Sequence, residues 1–381
     1  MSLDQTWNYL SPTKIFFGQN SFQSLKKIVL SLNVAKNILL ITGQSSMKKF
    51  GYVDQVNKML YNWSVYHFDG VPPDPTPEAI NDAINFARPR KIELVIAMGG
   101  GSALDVGKVL AILLKNNGTV EEYLEREREI ENPGVPLIAI PSTSGTASEV
   151  TCWATVWAKK KDKKKKYSLT HQWMFPDFCI VDPVLTVSMP PQLTAYTGMD
   201  ALTHAIEAAW SKNAQPISDV FALRAIRLNR QNLKRAYDYP EDLEARTNMA
   251  LASLLAGLAF NNTKTAACHS LSYPMTLSFG IPHGLAVSIT IKEVIKYNYR
   301  VLPNKVMQIV EEFGCSTVEE FSKALSELMV SLSLPIRLRD LNLKEKDLEF
   351  LLNEGINPDR MENNMATLSR EDIQAILKNS F

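Results

Sequence analysis

Hydrophobic and polar positions follow two alternating rhythms in the first half of the chain and a single one in the second. Residues 37–43 (Asn-Ile-Leu-Leu-Ile-Thr-Gly) and 94–98 (Leu-Val-Ile-Ala-Met) are short and almost wholly apolar, as strands covered on both faces are. Residues 14–17, 64–68, 135–140 and 178–183 add four further β-rich runs. Between them, 21–32, 52–61 and 77–86 carry helical spacing. The last of these opens on Thr76-Pro77-Glu78, an N-cap, a proline at the first helical position and an early acid. Directly after Met98 comes Gly99-Gly100-Gly101-Ser102 and then an apolar helical run over 103–114, with Ser102 and Asp105 spaced as a near capping box. Strand alternating with helix predicts a doubly wound α/β domain on a parallel sheet. From Pro191 the spacing is helical almost to the end: 194–211, 218–237, 243–260, 265–272, 285–299, 305–312, 318–331, 345–353 and 370–378. The change near Asp182 predicts two domains, an α/β one over 1–184 and an all-helical one over 185–381.

Composition narrows the partners. With 381 residues, 45% of them hydrophobic, the chain can bury two separate cores. Lys plus Arg (41) nearly cancels Asp plus Glu (40), so there is no electrostatic case for nucleic acid or an anionic membrane. The one charge run, Lys159 to Lys166, lies between β-like segments at 151–157 and 167–170 and lacks interleaved aromatics, which predicts a solvated hairpin tip. Cys152, Cys179, Cys268 and Cys315 form no CxxC pair, as suits reduced thiols. No apolar 18-mer is present, and the start, Met1-Ser2-Leu3-Asp4, has no basic and then apolar leader. The expectation is a cytoplasmic, unanchored protein acting on small neutral or modestly charged molecules.

Three features carry candidate chemistry. The Gly99–Ser102 turn leaves backbone N–H groups uncovered at a helix start, where a pyrophosphate is favoured. It is not GxGxxG, because Leu104 takes the third glycine's place, and a merely tight strand-to-helix turn would leave the same trace. A second loop, Pro141 to Thr151, crowds short hydroxyl side chains around Gly145, as contact with phosphate or ribose needs, although a Ser/Thr-rich turn would also look so. Finally, three of the five histidines, His204, His269 and His283, fall within residues 199–283, and Asp200 precedes His204 by one helical turn. Any one of them alone reads as a satisfied core histidine. Together they predict one metal site, Asp200, His204, His269 and His283, whose mixed N/O set suits Fe2+, Zn2+ or Ni2+ better than Mg2+ or Ca2+. Cys268, about 100° round the helix from His269, reads as a buried apolar residue.

In combination these motifs resemble the iron-containing (group III) alcohol dehydrogenases over nearly the whole chain. The matching stretches are Gly99 to Lys108, Pro141 to Glu149, Gly198 to His204, and Ala259 to Asn262 followed by His269 and Pro282 to Leu285. The resemblance implies a dehydroquinate-synthase-like architecture, with an N-terminal dinucleotide-binding domain, an all-α metal-binding domain and the active site in the cleft between. It implies Asp200, His204, His269 and His283 as metal ligands. Cofactor contacts fall on Gly99, Gly100, Gly101, Ser102 and Asp105, on Thr143, Ser144 and Thr146, and on Lys166. Trp153 and Phe260 become candidate pocket walls, and a homodimer is the implied assembly.

Four positions depart from the common pattern. Ala147 replaces a glycine, expected to cost little. Asp74 stands for an asparagine, and Tyr273 for a non-ligating histidine, which leaves a proton relay to Tyr273, ordered water or the cofactor ribose. Gly43 ends its strand where NAD-preferring members carry an aspartate. With Ser45, Ser46, Lys48 and Lys49 following, this predicts NADP(H) over NAD(H). The expected reaction is reversible hydride transfer between NADP(H) and a small alcohol or aldehyde. The alternatives are a metal- and NAD-dependent lyase of the dehydroquinate synthase type, or a three-histidine metal hydrolase.

Overall fold

A computed structural model describes residues 6–33, 35–160 and 163–381, with the side chains of 159–165 outside the described set. The leading Met1 to Asp4 and the turn of the lysine hairpin therefore lie outside the described residues. The chain forms two compact units, one of residues 12–188 and one of residues 189–381 joined by 6–11.

The first unit is built on strands β1 (Lys14–Phe17), β2 (Asn37–Gly43), β3 (Ser64–Val71), β4 (Leu94–Gly99), β5 (Leu137–Pro141) and β8 (Phe178–Val181). They form one sheet in the order β1-β8-β5-β4-β2-β3, parallel at every pairing. Alternate residues explain why the strands read as continuously apolar. Ile38, Leu40, Leu94, Ile96, Met98, Ile138 and Ile140 enter one core with Leu25, Ile28 and Val56, while Leu39, Ile41, Val95, Ala97, Leu137 and Ala139 are equally buried on the other face. On that second face lies the helix Gly101–Leu113, drawn tight by Gly107, whose added Cβ would stand 2.4 Å from the Ala97 Cβ. Close helix-to-strand packing, the role of a fingerprint's third glycine, thus falls on Gly107. The sheet order reverses between β2 and β4, so their carboxyl ends, at Gly43 and Gly99, border the crevice where such sheets bind ligands.

Strands β6 (Trp153–Lys160) and β7 (Lys163–Thr170) make a separate antiparallel hairpin, reaching further into the lysine run than the composition suggests.

The second unit is helical, apart from one isolated bridge between Ser211 and Asn364. Its central helix, Pro191–Trp210, is buried at every residue from Gly198 to Trp210, so its polar members must find partners inside the unit. Two boundaries differ from the sequence reading. The run expected to stop at residue 272 continues through Pro274 as Ala267–Phe279, and the Ser272 hydroxyl donates to the His269 carbonyl (2.7 Å) in the turn that the proline disturbs. The run expected over 285–299 is two helices, His283–Ser288 and Ile291–Val301.

Candidate active site

The metal-ligand candidates come from three helices. Asp200 and His204 lie one turn apart on Pro191–Trp210, His269 is in the first turn of Ala267–Phe279, and His283 starts His283–Ser288. Gly284 permits the last approach, because a Cβ there would lie 1.9 Å from the Tyr196 carbonyl oxygen of the central helix. One ligand atom each from Asp200, His269 and His283 lie within 4.8 Å of one another. His204 stands beside them, its Nδ1 3.8 Å from Asp200 Oδ1. Its ring stacks on Phe260 at 4.1 Å and on His269 at 4.6 Å, and His269 meets His283 edge-on at 5.5 Å. Phe260 therefore walls the cluster from one side.

Electrostatics show what the cluster can hold. Burial alone would raise Asp200, yet His204, His269 and His283 hold its pKa below the ordinary carboxylate range. Burial likewise opposes a proton on His269, but Glu207 and Asp200 outweigh it and push the imidazole up to about 9, so an ion binding at Nε2 displaces a proton there and exposes the lone pair. Asp200 Oδ1 and His269 Nε2 face each other at 3.7 Å, past hydrogen-bond reach, and both are buried atoms with no hydrogen-bond partner. Leaving such atoms unmet costs about 1–3 kcal/mol each. A cation meeting the carboxylate oxygen and the imidazole lone pair together removes both costs, so this donor set fits a divalent transition ion.

Glu207 was missed by the sequence reading. It is fully buried on the same helix and accepts from the backbone N–H groups of Ala266 (2.8 Å), Cys268 (2.6 Å) and His269 (3.3 Å) and lies 2.6 Å from His269 Nδ1. The available signal was the spacing Asp200, His204, Glu207, which puts three polar residues on one stripe of an otherwise apolar helix.

The second constellation lies in the sheet unit. Gly99, with φ +149°, turns the chain out of β4, and Gly100, not Ser102, is the N-cap of Gly101–Leu113. Added Cβ atoms on Gly100 and Gly101 would meet Thr143 at 3.6 Å and Thr146 at 2.8 Å, so the two loops line one narrow cradle. The first helical turn carries no acid, leaving its N–H end uncompensated, as an anion site requires. Ser144 is buried in the second loop.

Ser102 and Asp105 do not form the expected capping box. The Ser102 hydroxyl donates to the Pro73 carbonyl, while Asp105 accepts from the Ser148 hydroxyl (2.5 Å) and the Thr155 N–H (2.8 Å) and pairs with Lys108 at 3.5 Å. Lys108, fully buried, donates to Thr151 Oγ1 (3.0 Å) and the Trp153 carbonyl (2.7 Å); burial lowers its pKa against the pull of Asp105. Nearby Glu149 is pushed up to about 7 by burial, with Lys108 opposing. Ala147 is not cheap: it sits at φ +49°, ψ 31°, the left-handed region where a Cβ costs roughly 1–2 kcal/mol and glycine costs almost nothing.

Of the remaining candidates, Gly43 borders the cradle, its N 3.8 Å from where a Cβ on Gly99 would lie. Gly43 ends β2 with open space where a Cβ would go, and Ser45, Ser46, Lys48 and Lys49 beyond it are exposed. Lys166 lies opposite Trp157 in the hairpin, its Nζ 5.5 Å from the indole. The Tyr273 hydroxyl, in the helical unit, accepts from Arg360 Nε at 3.3 Å.

Comparison with known proteins agrees with both halves. The family model described as iron-containing alcohol dehydrogenase matches residues 12–183, and that of the Fe-containing alcohol dehydrogenase family, C-terminal, matches 194–381. Long-chain-alcohol dehydrogenase 1 of Geobacillus thermodenitrificans (strain NG80-2) is 39% identical over 360 residues, 91% of this chain and 90% of that protein. The NADPH-dependent butanol dehydrogenase of Clostridium saccharobutylicum is 34% identical, covering 88% of this chain and 87% of its own. The crystal structure of sulfoacetaldehyde reductase from Bifidobacterium kashiwanohense in complex with NAD+ superposes with a TM-score of 0.93 at 32% identity, covering 99% of each chain. The chain belongs to the iron-containing alcohol dehydrogenase family. It is accordingly an oxidoreductase of the alcohol dehydrogenase type. Among the described residues no helix is long and apolar enough to cross a membrane.

Proposed function

We propose that this enzyme interconverts a small aldehyde and its alcohol with NADP(H) in preference to NAD(H), using one divalent transition ion held by Asp200, His204, His269 and His283. The observation that carries the reading is the convergence of Asp200 Oδ1 and His269 Nε2, two buried atoms that no protein group satisfies, beside His204 and His283. When bound, such an ion supplies Lewis-acid polarisation of a carbonyl oxygen, and the nicotinamide supplies the hydride.

The protein's own residues do the rest. Phe260 keeps one flank of the histidine cluster apolar and dry. N–H groups of the Gly99–Ser102 turn, with Thr143 and Thr146 opposite, cradle a pyrophosphate. At the end of β2, Gly43 offers no carboxylate to repel a 2'-phosphate, and Ser45, Ser46, Lys48 and Lys49 offer donors and positive charge. The NADPH-dependent butanol dehydrogenase supports this choice, whereas the sulfoacetaldehyde reductase was crystallised with NAD+. Lys166 is our candidate for a further cofactor contact, and Tyr273, held by Arg360, for the proton relay.

The test is a panel of small aldehydes with NADPH and NADH, run on metal-stripped protein before and after loading with Fe2+, Zn2+ or Ni2+. Activity should return only on loading, with the higher kcat/KM for NADPH. Full turnover after exhaustive chelation would overturn the metal reading, and equal or better efficiency with NADH would overturn the cofactor preference.

A further inference from the structure

We infer that Glu207 is the positioning residue of the metal centre: its carboxylate fixes His269 in the Nδ1–H form and so keeps the Nε2 lone pair directed at Asp200. The inference rests on the metal reading above.

An ionised carboxylate offers about four acceptor positions and no proton. Three of the four nitrogen groups that contact Glu207 are backbone N–H groups, which can only donate: Ala266 to Oε2, Cys268 and His269 to Oε1. The fourth is His269 Nδ1, 2.6 Å from Oε2, and it must therefore also donate. With the proton committed to Nδ1, Nε2 is left as the basic nitrogen, and it is the atom that lies 3.7 Å from Asp200 Oδ1. Glu207 is fully buried, so bulk water does not compete for these bonds. Carboxylates behind metal-bound histidines generally set ring orientation and basicity in this way.

A purely structural role is the competing account, since the same carboxylate accepts the N–H groups of Ala266, Cys268 and His269 at the start of Ala267–Phe279. The two accounts separate in Glu207→Gln. A glutamine nitrogen in the Oε1 position would face two N–H groups, a double mismatch. In the Oε2 position it would face only the Ala266 N–H and could donate to His269 Nδ1. The second pose is the lesser mismatch, and it drives the imidazole proton onto Nε2, where it blocks a metal. Glu207→Asp keeps the charge and loses only reach.

The experiment measures zinc affinity of wild type, E207Q and E207D by competition with a chelator, alongside the unfolding temperature of each metal-free protein. E207Q should bind zinc roughly 10–100-fold more weakly, with E207D closer to wild type than E207Q is. Zinc affinity unchanged in E207Q, whatever happens to its unfolding temperature, would overturn the inference and leave a cap only. Should E207Q fail to fold, zinc-loaded wild type labelled with 15N-histidine decides: His269 must show zinc on Nε2 and a proton on Nδ1, and the reverse would refute the proposal. Wild type that binds no zinc would remove the metal reading itself, whereas tight wild-type binding with an indifferent E207Q removes only the role of Glu207.

Discussion

The two constellations of this enzyme are made of different material. The cradle at the ends of β2 and β4 is main chain: glycines that admit close approach, N–H groups at a helix start, and threonines that line the opposite wall. The cluster in the helical unit is side chain: a carboxylate and imidazoles buried on helices, with a second carboxylate behind them. A backbone site asks for space and is indifferent to most side chains, so its selectivity must come from the few exposed residues at its edge. A side-chain site depends on specific titratable groups, and each loss leaves a buried charge unmatched.

That contrast can be broken experimentally. The largest effect is expected from His269→Ala, which should cut turnover by about three orders of magnitude or more, since the Lewis-acid step accounts for several kcal/mol. NADPH affinity, read by nucleotide fluorescence, should stay within about twofold, because a cradle of backbone groups does not need the ion. A parallel fall in both would show the two sites to be one. Next is Gly43→Asp, for which the open space beside Gly43 leaves room. The ratio of kcat/KM for NADPH over NADH should fall by about tenfold or more, through repulsion between carboxylate and 2'-phosphate.

A pH effect of intermediate size belongs to Glu149. Its folded-state pKa, about 7, lies above the ordinary 4.5, so the protonated form favours the fold. That contribution is complete below 4.5 and is lost as pH rises through 7, on the order of 3 kcal/mol. Chemical denaturation of wild type and Glu149→Gln across pH 4.5–8 should show wild type losing stability relative to the variant as pH rises. A constant difference would mean that Glu149 stays ionised beside Lys108. The smallest effect is expected from Ala147→Gly, which relieves a left-handed alanine and should add about 0.5–1 kcal/mol, seen as a slightly higher Tm.

Sequence periodicity displayed the sheet well, because strands such as Leu94–Gly99 are covered on both faces and hence apolar throughout. The crowding of histidines likewise pointed to residues that the fold brings together, since Asp200, His269 and His283 approach within 4.8 Å. What stayed hidden depends on neighbours distant in sequence. Ser102 and Asp105 have capping-box spacing, but a Pro73 carbonyl and the Ser148 hydroxyl compete for them and win. Pro274 looks like a stop, yet packing carries the helix through it to Phe279. Ala147 gives no hint of its backbone angle, and Lys108 none of its burial. Glu207 could have been suspected from its stripe, but its four contacts come from a segment about sixty residues away.

The edge strand β1 has one more implication, for how the chain is made. Among the described residues it pairs with β8 alone, so residues 14–17 gain that sheet partner once residues 178–181 exist. Tyr9 and Leu10 wait longer still, for Leu258 and Asn262. At ribosomal speeds of about 5–20 residues per second, the nascent N-terminus spends roughly ten seconds or more with its backbone bonds unclaimed, while the inner strands β2, β4 and β5 can already assemble beside it.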